Sequence, residues 1–99
     1  MGKKDDYGSY IKIYDFMIND FKLAKYELLV YAYIFAMDRY GRGYDGSQQF
    51  LADHFNTSRK TINEVLKNLV DANLILKEEK VIWNGKGCVY TINYNLIKV

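Results

Sequence analysis

The first half of the chain contains a long stretch in which apolar residues recur at helical spacing. Between positions 24 and 40 they stand three or four residues apart, and Gly41 follows as a helix-ending residue, so the pattern predicts a long scaffold helix. Further apolar side chains lie between those of the stripe. We therefore expect this helix to be covered on more than one side, by the rest of the domain or by a partner chain. The stripe consists of Leu28, Tyr31, Ala32, Phe35 and Ala36.

Two shorter elements are predicted ahead of the scaffold helix. Residues 10–13 alternate as in a short strand, and residues 14–19 fit one helical turn that directs Phe16 and Met17 inward. Residues 1–9 are polar and contain glycine, which predicts a flexible N-terminal tail outside the fold.

A short helix is predicted over residues 48–55. Ser47 precedes it and is a natural N-cap, because its hydroxyl can accept a backbone N–H of the first turn. The apolar pattern indicates that Phe50, Leu51 and His54 turn toward the core.

A further helix is predicted over residues 59–72. Asn56 tolerates the left-handed backbone conformation that a tight turn between helices needs, and Ser58 can cap the helix that follows. Asn73 stands where a left-handed residue would end this helix. The side chains predicted to be buried are Ile62, Val65, Leu66, Leu69 and Val70.

Residues 74–83 and 88–94 are predicted as two strands around residues 84–87, a hairpin with Lys86 at a cationic tip. With 99 residues, 49% of them hydrophobic, the chain is long enough for one core and too short for two ordinary domains. The elements together predict a mainly helical α+β domain over residues 10–99, with a three-helix core and a sheet of two or three antiparallel strands.

The composition of the chain limits the kinds of site that it can form. The lone Cys88 cannot form an internal disulfide, and with the lone His54 it cannot complete a four-ligand zinc site, so we expect no metal or other cofactor. No stretch approaches the roughly 20 apolar residues of a membrane span, and we expect a cytoplasmic protein without membrane contact. The net charge of +2 is mild, but residues 1–57 carry seven basic and eight acidic side chains, while residues 58–99 carry seven and four. The basic excess therefore lies in the C-terminal part.

Residues 51–75, LADHFNTSRKTINEVLKNLVDANLI, resemble the second and third helices of winged helix-turn-helix proteins. Leu51 and Ala52 match the supporting helix, in which a small residue lets two helices cross closely. The resemblance implies a winged-helix fold that binds double-stranded DNA. Residues 59–72 would then be the recognition helix in the major groove, and residues 83–87 the wing.

The outer face of the helix over residues 59–72 holds the candidate DNA contacts. Its polar residues project together, opposite the apolar stripe: Lys60, Asn63, Glu64 and Lys67. Lys60 and Lys67 can reach guanine edges or phosphates, and Asn63 can bond to adenine. A charged outer face is ordinarily only solvated, and it is the helix-turn-helix context that favours the DNA interpretation. Three further residues suit phosphate contacts near the helix start: Ser58, Arg59 and Thr61.

Two candidate residues have more than one interpretation. Phosphates would repel Glu64, which either accepts from a cytosine amino group or pairs with Lys60 or Lys67. Lys86 either contacts the DNA backbone or a minor groove, or serves only solubility. Its neighbour Trp83 either packs on the sheet or stacks with a partner.

From Tyr10 onward the chain also resembles the N-terminal winged-helix domains of plasmid and phage replication initiators and replisome organisers. The resemblance lies in IKIYDFMI, KLAKYELLVYAYIFAMDRYG and GSQQFLA, although Leu23 and Ala24 stand where that group has Leu-Ser. It implies a role in replication initiation, with an origin or operator bound by a dimer or in repeated arrays. It also implies replication proteins as partners and a further C-terminal domain after Val99.

Two other functions fit the same residues. A transcriptional regulator would use the same DNA chemistry at a promoter. The other function is protein association by a winged helix, because ten tyrosines and the apolar scaffold helix could form a protein interface. Catalysis is the weakest candidate, since the chain lacks a glycine-rich phosphate loop, and His54 beside Asp53, like Cys88, is more typical of packing or the surface.

Overall fold

Helices form the larger part of the fold and a hairpin completes it. The computed structural model describes residues 11–39, 41, 43–82 and 85–97. The described residues form four α helices, two antiparallel strands and one 3-10 turn, so the expected α+β class is confirmed. In chain order these are α1 (Asp15–Asn19), α2 (Lys25–Arg39), α3 (Gln48–His54), α4 (Arg59–Asp71), β1 (Ile75–Ile82), β2 (Gly85–Ile92) and the turn Tyr94–Leu96.

Helix α2 is the scaffold of the domain. Only its two end residues, Lys25 and Arg39, are exposed, and every residue between them is buried or half-buried. Helices α1 and α4 and strand β2 all contact it. The predicted cover on more than one side is therefore confirmed, and the domain itself supplies it. The fully or largely buried side chains of α2 are Val30, Tyr31, Ala32, Ile34 and Phe35.

Helix α3 begins as predicted but presents a different face to the core. The Ser47 hydroxyl accepts the N–H of Phe50 at 2.9 Å, as expected of an N-cap. Leu51 is fully buried, whereas Phe50 is 46% exposed and His54 is also exposed, so the inward orientation predicted for these two residues was wrong. Phe50 and His54 are four residues apart and share the outer face, where their rings stack 5.6 Å apart.

Helix α4 ends in a Schellman motif. The N–H of Leu74 bonds to the carbonyl of Leu69 at 3.0 Å, and the N–H of Asn73 bonds to that of Val70 at 2.9 Å. Asn73 has a φ of 62°, so the left-handed residue predicted to stop this helix is confirmed.

Substitution of Asn73 tests this helix end. A left-handed backbone disfavours residues with a Cβ, and asparagine only partly escapes that effect. Asn73→Gly should keep or raise the free energy of unfolding, while Asn73→Ala should lower it by about 1 kcal/mol. Urea denaturation of the two variants measures the difference, and equal stabilities would contradict the assigned backbone conformation.

The pairing of the two strands extends further toward the turn than expected. The ladder of β1 and β2 runs from Ile75 opposite Ile92 to Ile82 opposite Gly85. Residues 85–87, predicted to form the tip, instead pair within the ladder, because glycine does not prevent strand pairing where the backbone bonds are made. The predicted strand limits were therefore wrong by several residues at the start of the second strand. Trp83 lies outside the described residues.

A single residue adds to the edge of the sheet. Tyr44 and Tyr90 exchange two backbone hydrogen bonds, of 2.8 and 2.9 Å, in an isolated antiparallel bridge. The preceding Gly43 has a φ of 69°, and a Cβ there would lie 2.9 Å from the carbonyl oxygen of Tyr90. Glycine is therefore required for this close approach. The described sheet has two strands, the smaller of the two numbers expected, and this bridge adds one residue at its edge.

The segment before α2 agrees with the prediction only in part. Helix α1 buries Met17 completely and half-buries Phe16, as expected. Residues 11–14 form no strand, so that prediction was wrong. The Tyr14 ring instead packs edge-on against Phe35 at 5.2 Å, and the Tyr14 carbonyl accepts the N–H of Met17. Residues 1–9, the predicted tail, lie outside the described residues.

Candidate nucleic-acid interface

The outward face of α4 brings most of the predicted contacts together. Lys60, Asn63, Glu64 and Lys67 are all exposed. The opposite side of the helix is buried against the core through Ile62, Val65, Leu66 and Leu69, while Val70 is half-buried. The side chains of Lys60, Asn63 and Lys67 therefore extend from a helix whose other face is held by packing.

The start of α4 is held by its own hydroxyl groups. The Ser58 hydroxyl accepts the N–H of Thr61 at 3.1 Å and donates to the Thr61 hydroxyl oxygen at 3.0 Å. This leaves the Thr61 hydroxyl hydrogen as the donor for an outside acceptor. The backbone N–H groups of Arg59 and Lys60 point along the same helix end, where the helix dipole favours an anion. Arg59 is exposed beside them.

A four-residue connection fixes α4 relative to α3. Asn56 has a φ of 57°, which confirms the left-handed turn, and the N–H of Thr57 bonds to the carbonyl of Ala52 at 2.8 Å. Helices α3 and α4 contact each other, and Leu51, Ala52 and Ile62 are fully buried in the core that they share. The outward face of α4 is therefore rigidly oriented by α3.

A side-chain bond that the sequence pattern did not reveal ties α4 to the scaffold. The Asn68 amide donates to the Glu27 carboxylate of α2 at 3.2 Å. Asn68 thus faces α2 and does not belong to the outward face, although it is exposed and polar. Since the two residues are 41 positions apart, local periodicity carries no signal for this bond.

Charge is unevenly distributed along α4. Arg59 and Lys60 stand in its first turn, whereas Glu64 and Asp71 are exposed further along and Lys67 lies between them. Asp71 was not among the predicted contacts. The first turn, with the helix dipole added, is the most favourable place for a phosphate, and the later turns have mixed charge.

The hairpin differs from the prediction in the position of Lys86. The Lys86 backbone lies in β2 opposite Val81 and not in a loop, so its placement at the tip was wrong. Lys77 is exposed on β1, but Glu78 and Glu79 follow it and are also exposed. Among the side chains that the structure describes, the positive character of the hairpin is therefore limited to Lys77.

Two other kinds of site are a metal centre and a membrane-spanning helix. Within the described residues, no group of three His, Cys, Asp or Glu side chains is arranged to hold a metal ion. The helices described above include none with the length and apolar character needed to cross a bilayer.

Comparison of the chain with known protein families, with curated proteins and with solved structures finds no match. The functional argument therefore rests on the order of the elements, the geometry of α4 and the chemistry of its exposed side chains.

Proposed function

We propose that the chain is a winged helix-turn-helix domain that binds duplex DNA by placing α4 in the major groove. The observation that carries the proposal is the position of the capped helix α4. A tight turn with Asn56 in the left-handed conformation connects it to α3, and its exposed face contains Lys60, Asn63 and Lys67. The order of the elements also supports it, since α3 and α4 are joined by a short turn as in a helix-turn-helix, and the hairpin that follows stands where the wing is expected.

The dimensions of α4 suit a groove. A helix with its side chains is about 10–12 Å wide, and the major groove of B-DNA is about 12 Å wide. Lys60 and Lys67 are seven residues apart, which corresponds to roughly 10 Å along the axis at about 1.5 Å per residue, or about three base pairs. Asn63 lies between them. The two lysines contact phosphates or guanine edges at the ends of this span, and Asn63 bonds to an adenine inside it.

Phosphate contacts at the start of α4 set the register on DNA. Arg59 and the Thr61 hydroxyl donate to one backbone phosphate together with the exposed N–H groups of the first turn, while Ser58 holds that turn in shape. Lys86 of the hairpin has the two roles open to it from the sequence, a contact with the DNA backbone or minor groove, or solubility. Glu64 has the two roles open to it from its chemistry, acceptance from cytosine or pairing with a neighbouring lysine.

We propose replication initiation at a plasmid or phage-like origin as the biological role, on the resemblance in the first half of the chain. Repeated or palindromic sites bound by a dimer fit a domain with one recognition helix. A transcriptional regulator has the same DNA chemistry, so the position of the bound sites decides between the two roles. Tandem repeats in an origin support replication, and single promoter sites support transcription.

A second candidate, a protein-association module, has one observation in its favour. The exposed Phe50 and His54 rings stack on each other, and Tyr33 of α2 lies 5.3 Å from the His54 ring. Exposed aromatic clusters are common at protein interfaces. Failure to bind any duplex, together with loss of a protein partner on Phe50→Ala, would favour this function.

Base recognition by Asn63 is tested by substitution. Asn63→Ala should weaken binding to the preferred site by about 1–3 kcal/mol and leave binding to unrelated duplexes nearly unchanged, because a bidentate amide contact discriminates between bases. Competition titrations on a panel of duplexes measure this. Asn95→Ala, which removes an exposed amide from the 3-10 turn, is the control. An equal loss on all sequences would mean that Asn63 does not contact a base.

A further inference from the structure

A cleft opens on a part of the domain formed by α1, the end of α2 and the 3-10 turn. Its volume is about 510 Å³. This lies within the range of about 300–1,000 Å³ that is usual for small-molecule sites. The residues that line it are Tyr14, Phe16, Phe35, Asp38, Arg39, Tyr94 and Ile97, and we call it the Asp38 cleft.

The walls of the Asp38 cleft are mainly aromatic. Phe35 is the central wall, and the rings of Tyr14, Phe16 and Tyr94 lie 5.2, 5.8 and 6.1 Å from it. Each meets the Phe35 ring at an angle of about 60°. An aromatic occupant can therefore pack against ring faces and ring edges, which are the two geometries that aromatic pairs prefer.

The charged groups of the cleft, Asp38 and Arg39, differ in their contacts with the rest of the domain. One Asp38 carboxylate oxygen accepts the backbone N–H of Ile92 at 3.0 Å. Burial, together with a hydrogen bond to Asp38, raises the pKa of Tyr94 to about 12. The Asp38 carboxylate is thus engaged by the fold itself. Arg39, in contrast, is exposed, with its guanidinium carbon 5.8 Å from the centre of the Phe35 ring.

A buried hydroxyl stands behind the central wall. Among the described residues, the hydroxyl of the fully buried Tyr31 has no hydrogen-bond partner. Its ring stacks on Phe35 at 6.3 Å, and burial raises its pKa, with a further rise from the Tyr94 phenol. Unsatisfied buried polar groups are rare in native structures, and a buried water is one explanation for them. Tyr31 does not line the Asp38 cleft, so its hydroxyl supports the position of Phe35 and does not contact an occupant.

We propose that the Asp38 cleft binds a small aromatic carboxylate. Its ring lies between Tyr14 and Tyr94, above the small part of Phe35 that is exposed, and its carboxylate is held by the Arg39 guanidinium at the rim. A guanidinium is the side chain best suited to bind a carboxylate with two parallel bonds. Asp38 also lines the cleft and has the opposite charge, but its carboxylate already accepts the N–H of Ile92, whereas Arg39 is exposed and can turn toward an occupant. This binding does not depend on the proposed DNA-binding function.

The test uses the full chain labelled with ¹⁵N and 2-naphthoate as the probe, followed by amide NMR spectra. The Ile92 amide is the main reporter, because its N–H donates to Asp38. We expect saturable shifts at Ile92, Asp38, Arg39 and Tyr94. The carboxylate should bind roughly tenfold more tightly than 2-naphthylmethanol or 2-naphthylmethylamine, since only the carboxylate gains the charge-assisted bonds.

Two variants separate the site from general affinity for aromatic molecules. Arg39→Gln should abolish the preference for the carboxylate while the uncharged alcohol still binds, and Lys77→Gln, which removes an exposed cation from β1, should change neither. Equal affinity for the three probes, or shifts spread over the surface, would overturn the proposal. Shifts at these amides that grow with protein concentration, with no probe present, would assign the cleft to a second copy of the chain and would also overturn it.

Discussion

Replacing both Lys60 and Lys67 with alanine is expected to weaken duplex DNA binding at least tenfold. Each exposed lysine that neutralises a phosphate releases about 0.9 of a counterion, so the slope of log affinity against log salt should fall by roughly two in the double variant and by about one in each single variant. Titrations at four or more salt concentrations measure the slope. The fold should not change, because both side chains are exposed on the outer face of α4.

The control for this prediction is Lys12→Ala. Lys12 is also exposed, but it precedes α1 and lies over the ring of Tyr14 at 5.2 Å. Lys12→Ala removes the same charge as each single variant on α4 but leaves α4 unchanged. Its effect on the slope should therefore be well below that of Lys60→Ala or Lys67→Ala. A slope that changes equally in all three single variants would indicate non-specific attraction by net charge. A slope unchanged in the double variant would remove Lys60 and Lys67 from the interface.

Leu51→Ala is expected to destabilise the domain by about 2–5 kcal/mol, which is a large part of the stability of a small domain. Leu51 is fully buried in the core, and α3 contacts α4. Its loss therefore leaves a cavity in the core to which both helices contribute. Equilibrium unfolding in urea measures the change, and DNA affinity below the unfolding transition should fall as well, because α3 orients α4.

The neighbouring substitution Phe50→Ala is the matched control for Leu51→Ala. Phe50 has the larger side chain, yet it is about half-exposed, so its removal should cost roughly 1 kcal/mol or less. If Phe50→Ala were the more destabilising change, α3 would have the orientation first expected from the sequence, with Phe50 in the core.

The features that were predicted correctly depend on neighbouring residues. Ser47 and Ser58 cap their helices with bonds to residues three positions on, and Asn56 and Asn73 take the left-handed conformation that asparagine tolerates. The buried stripe of α4 also follows from spacing alone, since the helix is strongly amphipathic. For the candidate site, this local information was sufficient to place Lys60, Asn63 and Lys67 on one exposed face.

The features that were missed depend on residues distant in the chain. Leu51 faces the core as predicted, but nothing near Phe50 and His54 indicates that these two residues lie on the outer face of α3. The length of the hairpin is set by pairing across the ladder, which draws residues 85–87 into β2. The bond from Asn68 to Glu27 spans 41 positions, and it removes one polar residue from the outward face of α4.

The most direct test of DNA recognition is a titration of the full chain against pooled random duplexes at several salt concentrations, with the retained duplexes recovered and sequenced. We predict saturable binding that weakens as salt rises, and a recovered motif with a core of about three base pairs for each α4, in repeats or palindromes if the domain binds as a dimer. Failure to retain any duplex at low salt, with the protein folded, would contradict DNA binding and favour the protein-association function.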